Sequence, residues 1–175
     1  DIIQRIACMG MNTFMLYMEN IYKVKEYPYF GYMRGAYSQD ELREIDAYAQ
    51  KFGLEVVPCI QTLAHLYNAL LWPYAKGMRD TADILLVGEE KTYTFIECLI
   101  KSLSECLTSN RIHIGMDEAF GLGTGEYYRQ HGDVDRFQIM SEHLERVAKI
   151  LESYGKEPIM WGDMFFILAS KSGNY

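Results

Sequence analysis

The chain has 175 residues, of which 49% are hydrophobic and 14% are aromatic, and it carries a formal net charge of −7. This composition is enough for one well-packed domain of ordinary size, which we expect to span residues 1–175. The acidic balance and the lack of a basic cluster in the sequence disfavour a nucleic acid or an anionic membrane as a partner.

Three further features concern the compartment in which the protein works. The longest stretch without a formal charge, residues 56–75, contains prolines and several polar residues, so it does not predict a membrane-spanning helix. No charged-then-apolar leader is visible at the start of the sequence. The cysteines lie in apolar segments without CxxC spacing, which favours free thiols and a reducing compartment. We therefore expect a cytoplasmic protein.

Strand-like and helix-like segments alternate along the first part of the chain. After a helical start that Gly10 ends, the near-continuous apolar run at residues 12–19 predicts a buried strand. A loop rich in tyrosine, glycine and proline follows, and the capping box Ser38–Glu41 begins a helix that Gly53 ends. Residues 54–61 then predict the second strand.

The same alternation continues in the second part of the chain. Apolar periodicity predicts helices at residues 92–107 and 134–154, and apolar runs predict strands at residues 111–116 and 157–163. Buried strands that alternate with helices indicate an α/β fold with a parallel sheet, which occurs both in open doubly wound folds and in (β/α)₈ barrels. A complete barrel needs about 250 residues, so four strands in this length correspond to half of one.

The stretch "RIHIGMDEAFGLG" (residues 111–123) places Asp117 and Glu118 side by side at the end of the third predicted strand. Because side chains alternate along a strand, His113, Gly115 and Asp117 share one face, and the residues between them, which face the other way, are all apolar. Ligands bind at the carboxyl ends of the strands in parallel α/β folds, so the two acids are candidate catalytic residues. The alternative is an acidic first turn of a following helix, where the helix dipole favours Asp and Glu.

Several segments resemble one known family. "RIHIGMDEA" resembles the His-x-Gly-x-Asp-Glu signature of the family-20 glycoside hydrolases, the β-N-acetylhexosaminidases. "LEVVPCIQTLAHL" resembles that family's third-strand segment, V-I-P-E-I-D-x-P-G-H, and "EPIMWGDMF" resembles the fifth-strand segment that brings a tryptophan to the sugar. "MNTFMLYMEN" is similar to the second strand, where the family reads K-x-N-x-x-x-x-H-x-x-D. This alignment covers helix 1 to strand 5 of a (β/α)₈ TIM barrel, so we expect the segment alone to be inactive.

The resemblance implies a substrate-assisted mechanism. The 2-acetamido oxygen of the substrate attacks the anomeric carbon, Asp117 orients the acetamido group, and Glu118 acts first as general acid and then as general base. His65 matches the family histidine beside the general acid, and Glu19 lies near the acidic position that supports that histidine. The resemblance thus predicts a Glu118–His65–Glu19 relay. The alternatives are a loop histidine bound to backbone and a solvated glutamate.

His113, on the same face as Asp117, is a candidate supporting residue, and two residues near the end of the fourth predicted strand complete the candidate site. Trp161 would form one wall of the pocket for the sugar or its acetamido methyl, because an aromatic ring suits the apolar C–H face of a pyranose. The alternative for Trp161 is a place in the core. Asp163 either hydrogen-bonds a sugar hydroxyl or caps the next helix.

The sequence also departs from the family pattern. Cys59, Gln61 and Ala64 stand where the family often has Glu, Asp and Gly, and "YMENIYKV" lacks the usual histidine near the second strand. The resemblance is therefore to a divergent branch, and it gives neither the preference between GlcNAc and GalNAc nor the oligomeric state. "GLGTGE" (residues 121–126) lacks the spacing of a phosphate-binding motif and predicts a loop beside the site.

The resemblance implies a retaining exo-β-N-acetylhexosaminidase without a cofactor, which acts on β-N-acetylhexosaminide glycans or glycoconjugates. One alternative is a metal-dependent barrel hydrolase or isomerase that uses the same His, Asp and Glu residues, although no HxH or HExxH spacing supports a metal site. The other alternative is a sugar-binding remnant without turnover.

Overall fold

The computed structural model describes residues 1–167 of the chain. The elements in chain order are α1 (Ile2–Cys8), β1 (Thr13–Glu19), α2 (Gln39–Gln50), β2 (Glu55–Ile60), α3 (Tyr67–Leu70), a 3₁₀ turn (Pro73–Ala75), α4 (Glu90–Ser104), β3 (Arg111–His113), α5 (Glu126–His131), α6 (Arg136–Ser153), β4 (Glu157–Ile159) and α7 (Asp163–Ile167). Within this part of the chain, no helix has both the length and the apolar composition needed to cross a membrane.

The strands form one parallel sheet in the order β1-β2-β3-β4, so the predicted parallel sheet is confirmed. Tyr17 pairs with Cys59, and Cys59 pairs with His113, which places these side chains in one row on the same face. Because all the strands run in the same direction, their carboxyl ends lie at one edge of the sheet. The segments that follow these ends carry the candidate site residues that lie outside the strands.

The helix α2 begins where the capping box predicts. The Ser38 N–H donates to Glu41 Oε2 at 2.7 Å, and the Glu41 N–H donates to Ser38 Oγ at 3.2 Å. The hydrogen bond from the Ser38 backbone is the main reason that the pKa of Glu41 lies below its ordinary value. Each side chain thus satisfies an amide that the helix itself leaves free.

The third strand ends earlier than the apolar pattern predicts. The sequence predicts a strand to residue 116, but β3 stops at His113. Gly115 and Met116 both have a φ of +72°, and this left-handed backbone turns the chain out of the pleat. The turn brings the two residues that follow Met116 over the edge of the sheet.

The fourth strand is also shorter than predicted, because Asp163 already begins α7. Hydrogen bonding between the two chain segments nevertheless continues beyond the strands. The Ile114 N–H donates to Ile159 O at 2.8 Å, and the Trp161 N–H donates to Gly115 O at 3.1 Å. This continued pairing fixes the position of Trp161 relative to the end of β3. The short helices α5 and α7 are not predicted, because a helix of five or six residues is too short to show a clear apolar periodicity.

The apolar core lies between the sheet and the helices α2, α4 and α6. The outward-facing residues of the third predicted strand, Ile112, Ile114 and Met116, are fully buried, as their alternation predicts. The opposite face of the sheet is partly open, and Tyr17 on β1 is 48% exposed there. The layer of helices therefore covers one face of the sheet in the described part of the chain.

A buried histidine connects α6 to the end of β2. His143 Nε2 donates to Thr62 O at 2.9 Å, and His143 Nδ1 accepts from the Tyr93 hydroxyl at 3.2 Å. Complete burial lowers the pKa of His143 to about 4, although the bond to Thr62 acts in the opposite direction. The ring is therefore neutral near pH 7, which is the form that both hydrogen bonds require.

Because His143 is buried in its neutral form, the protein should lose stability in acid. The pKa of His143 is about 4 in the folded protein, below its ordinary value of 6.5, so the unfolded chain takes up this proton first. The stabilising contribution is complete above pH 6.5 and is lost as the pH falls towards 4. This loss is on the order of 3 kcal/mol, since each pKa unit corresponds to about 1.4 kcal/mol.

The measurement is the free energy of unfolding of the complete protein between pH 7 and pH 4, for the unmodified protein and for His143→Gln. The variant should lose less stability than the unmodified protein over this range. His131→Gln, which changes an exposed histidine, serves as the matched control. Parallel pH profiles for the His143→Gln variant and the unmodified protein would contradict the prediction.

Candidate active site

The two predicted acids lie at the carboxyl edge of the sheet, just after β3. The side chain of Asp117 is 22% exposed, whereas that of Glu118 is 60% exposed. Glu118 has a φ of +50°, and Met116 before it is also left-handed. Left-handed backbone is unusual for residues with a side chain and persists only where the surroundings enforce it. The chain thus adopts an unfavourable conformation at the point where the two acids leave the sheet.

His65 faces both acids. Its Nε2 lies 3.2 Å from Asp117 Oδ2 and 3.5 Å from Glu118 Oε2. The Nε2 atom is buried, and no described group forms a well-aligned hydrogen bond with it. His65 is left-handed as well, with a φ of +57°. The two carboxylates therefore converge on one imidazole nitrogen, which is within ion-pair range of either acid.

Gln61 holds Asp117, and the sequence analysis did not identify it as a site residue. Gln61 Nε2 donates to Asp117 Oδ1 at 2.9 Å, and the side chain is fully buried. Burial raises the pKa of Tyr17, and the nearby Gln61 side chain opposes this rise. The alternation on the second strand places residues 57, 59 and 61 on one face, and this signal could have identified Gln61.

The lack of a side chain at Gly115 is what allows Gln61 to occupy this position. A Cβ atom at Gly115 would lie 2.1 Å from Gln61 Oε1 and 2.7 Å from Ile60 O. Both distances are far shorter than a van der Waals contact. Only glycine therefore fits beneath the acids, where its left-handed φ is also acceptable.

Glu19 lies beyond the reach of His65. Its Oε2 lies 3.2 Å from Arg34 Nη1, and its Oε1 accepts from the Tyr17 hydroxyl at 3.2 Å. No ion pair or hydrogen bond joins Glu19 to His65 in the described part of the chain. The pairing of β1 is irregular between Tyr17 and Glu19, and the φ of +45° at Glu19 turns its carboxylate towards Arg34. The structure thus brings together the Glu118–His65 part of the predicted relay, without Glu19.

Trp161 lies beside His113 below the acids. The centroids of the two rings are 4.7 Å apart, and the indole is 45% exposed. His113 Nδ1 accepts from the Gly115 N–H at 3.1 Å, which places the proton of the neutral ring on Nε2. Burial lowers the pKa of His113, and the charge of Asp117 opposes this effect. A neutral histidine thus supports an aromatic side chain that is open to solvent.

Asp163 positions the backbone of Glu118. Its Oδ2 accepts from the Glu118 N–H at 3.1 Å, and its Oδ1 is buried without a hydrogen bond to a described group. This bond crosses from the start of α7 to the strained turn after β3. It helps to hold Glu118 in the left-handed conformation.

Asp80 is a second residue that the sequence analysis missed. Its carboxylate accepts from three backbone N–H groups of the loop before α5 and of its first turn: Gly123 at 2.7 Å, Tyr127 at 2.9 Å and Gly125 at 3.1 Å. A Cβ atom at Gly125 would lie 1.9 Å from Asp80 O. The loop that follows the acids is therefore held against the segment that follows β2.

The described residues contain no group of three or more His, Cys, Asp or Glu side chains with the arrangement of a metal site. The nearby thiol of Cys59 is buried, and burial together with the charge of Asp117 raises its pKa to about 11. Cys59 is thus a protonated thiol near neutral pH.

Comparison with known proteins shows which family this chain matches. The model of "Glycosyl hydrolase family 20, catalytic domain" matches residues 18–172. Hexosaminidase D of Bos taurus is 28% identical over 178 residues, which cover 94% of this chain and 50% of that protein. Hexosaminidase D of Homo sapiens is 26% identical, with coverage of 94% and 36%. This chain thus spans half or less of the length of these relatives.

The fold is similar to that of solved structures. The β-N-acetylhexosaminidase of Bacteroides fragilis matches with a TM-score of 0.78 at 24% identity, over 94% of this chain and 38% of that protein. At this identity the likeness shows the fold alone. The predicted (β/α)₈-barrel class is confirmed, and the parallel sheet is part of such a barrel.

The close packing at Gly115 predicts a large loss of stability in Gly115→Ala. The added Cβ atom would collide with Gln61 and with the backbone of Ile60, and alanine is unfavourable at a φ of +72°. We expect the free energy of unfolding to fall by at least about 2 kcal/mol.

Denaturant unfolding of the complete protein measures this effect. Gly121→Ala is the matched control, because a Cβ atom there would meet its nearest neighbours at 3.5 Å, an ordinary contact distance. A Gly115→Ala variant as stable as Gly121→Ala would show that the two strand ends do not pack as described.

Proposed function

This chain belongs to glycosyl hydrolase family 20, and we propose that the complete protein is a retaining exo-β-N-acetylhexosaminidase. Its substrates are glycans or glycoconjugates that end in β-linked N-acetylglucosamine or N-acetylgalactosamine. The observation that carries the proposal is the convergence of Asp117 and Glu118 on His65 Nε2, at 3.2 Å and 3.5 Å, at the carboxyl end of β3.

The unequal surroundings of the two acids support unequal roles. Asp117 is largely buried and is held by Gln61 Nε2 at 2.9 Å. It is suited to a fixed task, which is to accept the N–H of the 2-acetamido group and to stabilise the positive charge that develops on that nitrogen. Glu118 is mostly exposed and can reach the glycosidic oxygen above the sugar.

The reaction proceeds in two steps through the acetamido group of the substrate. In the first step, the acetamido oxygen attacks the anomeric carbon as the glycosidic bond breaks, and Glu118 gives its proton to the leaving oxygen. In the second step, Glu118 takes a proton from water as the water opens the oxazolinium ion at the same carbon. Each step inverts the anomeric carbon, so the product retains the β configuration.

His65 and Trp161 support these steps from opposite sides. The imidazole lies within ion-pair range of both acids, so it can stabilise whichever carboxylate is charged. The half-exposed indole beside His113 provides an apolar surface for the C–H face of the sugar. Neither task requires a cofactor.

The test is the hydrolysis of an aryl β-N-acetylglucosaminide and of a β-linked disaccharide of N-acetylglucosamine by the complete protein. Release above background supports the enzyme, whereas binding without release supports a sugar-binding remnant. Activity that survives exhaustive chelation excludes a metal-dependent hydrolase or isomerase. Loss of activity on chelation, with recovery on addition of a metal, would overturn the proposed mechanism.

The two acids should respond differently to removal of their charge. Glu118→Gln should lower kcat for the disaccharide by roughly 10²- to 10⁴-fold and lower kcat for the activated aryl glycoside less, because the good leaving group needs no general acid and only the general-base step is affected. Asp117→Asn should slow both substrates by roughly a hundredfold or more, because it removes charge stabilisation from a transition state that both share.

Steady-state kinetics with both substrates measure this difference. Glu152→Gln, an exposed carboxylate on α6, is the control and should behave like the unmodified protein. Mild and equal effects of the two active-site substitutions would contradict the roles assigned to them.

Removal of the hydrogen bond from Gln61 to Asp117 should also lower the activity. Gln61→Leu keeps most of the side-chain volume but removes the donor to Asp117, and a hydrogen bond to a charged group is worth about 1.5–3 kcal/mol. We expect kcat for both substrates to fall roughly ten- to a hundredfold.

The control for Gln61 is Gln50→Leu. Gln50 also donates to a carboxylate, Asp46 Oδ2 at 2.9 Å, but it lies at the amino-terminal edge of the sheet. Its substitution should leave both rates unchanged. Equal kinetics for the two variants would show that the bond to Asp117 does not contribute to catalysis.

A further inference from the structure

Two exposed tyrosines and one half-buried tryptophan form a cluster on the loops that follow β1 and β2. We call these residues, Tyr29, Tyr32 and Trp72, the aromatic corner. Tyr29 stacks on Trp72 with ring centroids 4.9 Å apart and an interplanar angle of 21°. Tyr32 stands at 87° to Trp72 with centroids 5.4 Å apart, and its centroid is 5.6 Å from that of Tyr29. The stacked pair and the perpendicular ring thus form two walls that meet at an angle.

The aromatic corner is open to solvent. Tyr29 and Tyr32 are 48% and 52% exposed, and the adjacent Met33 is 88% exposed. Tyr32 and Met33 also line a cavity beside the aromatic corner. Contiguous exposed apolar surface is unfavourable in water, and in folded proteins it often marks a binding site.

The loop that carries Tyr29 and Tyr32 is fixed to the carboxyl end of β1. A Cβ atom at Gly31 would lie 2.4 Å from Asn20 O, so the loop passes directly over the end of the strand. Arg34 Nη1 donates to Asn20 Oδ1 at 2.6 Å and lies 3.2 Å from Glu19 Oε2. These contacts explain why Glu19 turns away from His65: it helps to hold the loop in place.

The aromatic corner and Trp161 lie on opposite sides of the acids. The sheet order β1-β2-β3-β4 places Trp161, after β4, on one side of Asp117 and the end of β1 on the other. Two strand spacings separate β1 from β3, roughly 10 Å. Arg34 fixes the loop of Tyr29 and Tyr32 to this end of β1. The loop is thus attached about one sugar residue or more away from the acids.

The chemistry of the aromatic corner fits a pyranose ring. Aromatic faces pack against the C–H groups of a sugar, and the tyrosine hydroxyls and the guanidinium of Arg34 can bond its hydroxyls. Bases of single-stranded nucleic acid also stack on aromatic rings, but such sites pair the rings with a positively charged groove. The net charge of −7 disfavours that partner.

We propose that the aromatic corner binds a sugar of the leaving group, on the far side of the bond that Glu118 cleaves. This inference rests on the proposed function, because an exo-acting enzyme that holds the terminal sugar against Trp161 has the rest of the glycan extending away from that pocket. The aromatic corner then favours oligosaccharide substrates over substrates with a small leaving group.

The test compares two substrates of the complete protein. One is a β-linked trisaccharide of N-acetylglucosamine, and the other is the β-fluoride of N-acetylglucosamine, whose leaving group has no ring. Tyr32→Ala should lower kcat/KM for the trisaccharide roughly three- to tenfold and leave kcat/KM for the fluoride unchanged. Tyr32→Phe should retain the trisaccharide rate, since it keeps the ring.

Tyr128→Ala serves as the matched control, because Tyr128 is a similarly exposed tyrosine on α5 outside the aromatic corner. It should leave both rates unchanged. Equal losses for the two substrates in Tyr32→Ala, or no loss for the trisaccharide, would overturn the assignment while leaving the proposed reaction intact.

Calorimetry with Glu118→Gln separates this inference from the proposed function. If neither substrate is hydrolysed, the proposed reaction is wrong, and the aromatic corner is then judged by trisaccharide binding alone. Weaker binding after Tyr32→Ala supports the sugar site, and unchanged or absent binding refutes it. Binding of a single-stranded oligonucleotide that Tyr32→Ala abolishes would also refute it, in favour of a nucleic-acid site.

Discussion

The close approach of the second and third strands at Gly115 is the constraint on which the site depends. Because Gly115 has no side chain, Gln61 can lie directly against it and reach Asp117. The left-handed turn that begins at Gly115 then lifts Asp117 and Glu118 over the sheet edge, where both face His65. A side chain at Gly115 would displace the buried amide that fixes one acid, and the contrast between a fixed, partly buried carboxylate and an exposed one would be lost.

The sequence was sufficient to predict the fold class and the edge of the sheet at which the candidate acids lie, because both depend on local patterns. Alternation placed the apolar residues around Ile114 in the core and the acids at the strand end. In the structure these apolar residues are fully buried. The position of Trp161 also follows from its strand, since backbone hydrogen bonding continues past β4. Strand lengths were less predictable, because the apolar pattern continues through Met116 although the backbone has already turned.

The missed residues make contacts between segments that are distant in the sequence. Gln61 and Asp80 bond to groups 56 and 43–47 residues away. Strand alternation indicates the face on which Gln61 lies, but no spacing within one segment reveals the partner of either residue. Glu19 shows the opposite error. The family resemblance made it the expected support for His65, but an irregularity in β1 pairing and the nearby Arg34 gave it another partner.

The carboxylate of Asp80 uses both of its oxygens on the glycine-containing loop that follows the acids. The loop after β2 and the loop after β3 therefore behave as a single structural unit, although forty residues separate them in the sequence. An insertion or deletion in either loop would separate the Asp80 carboxylate from the backbone amides that it binds. Replacement of one loop by that of a relative consequently requires that the two loops be exchanged together, as a matched pair.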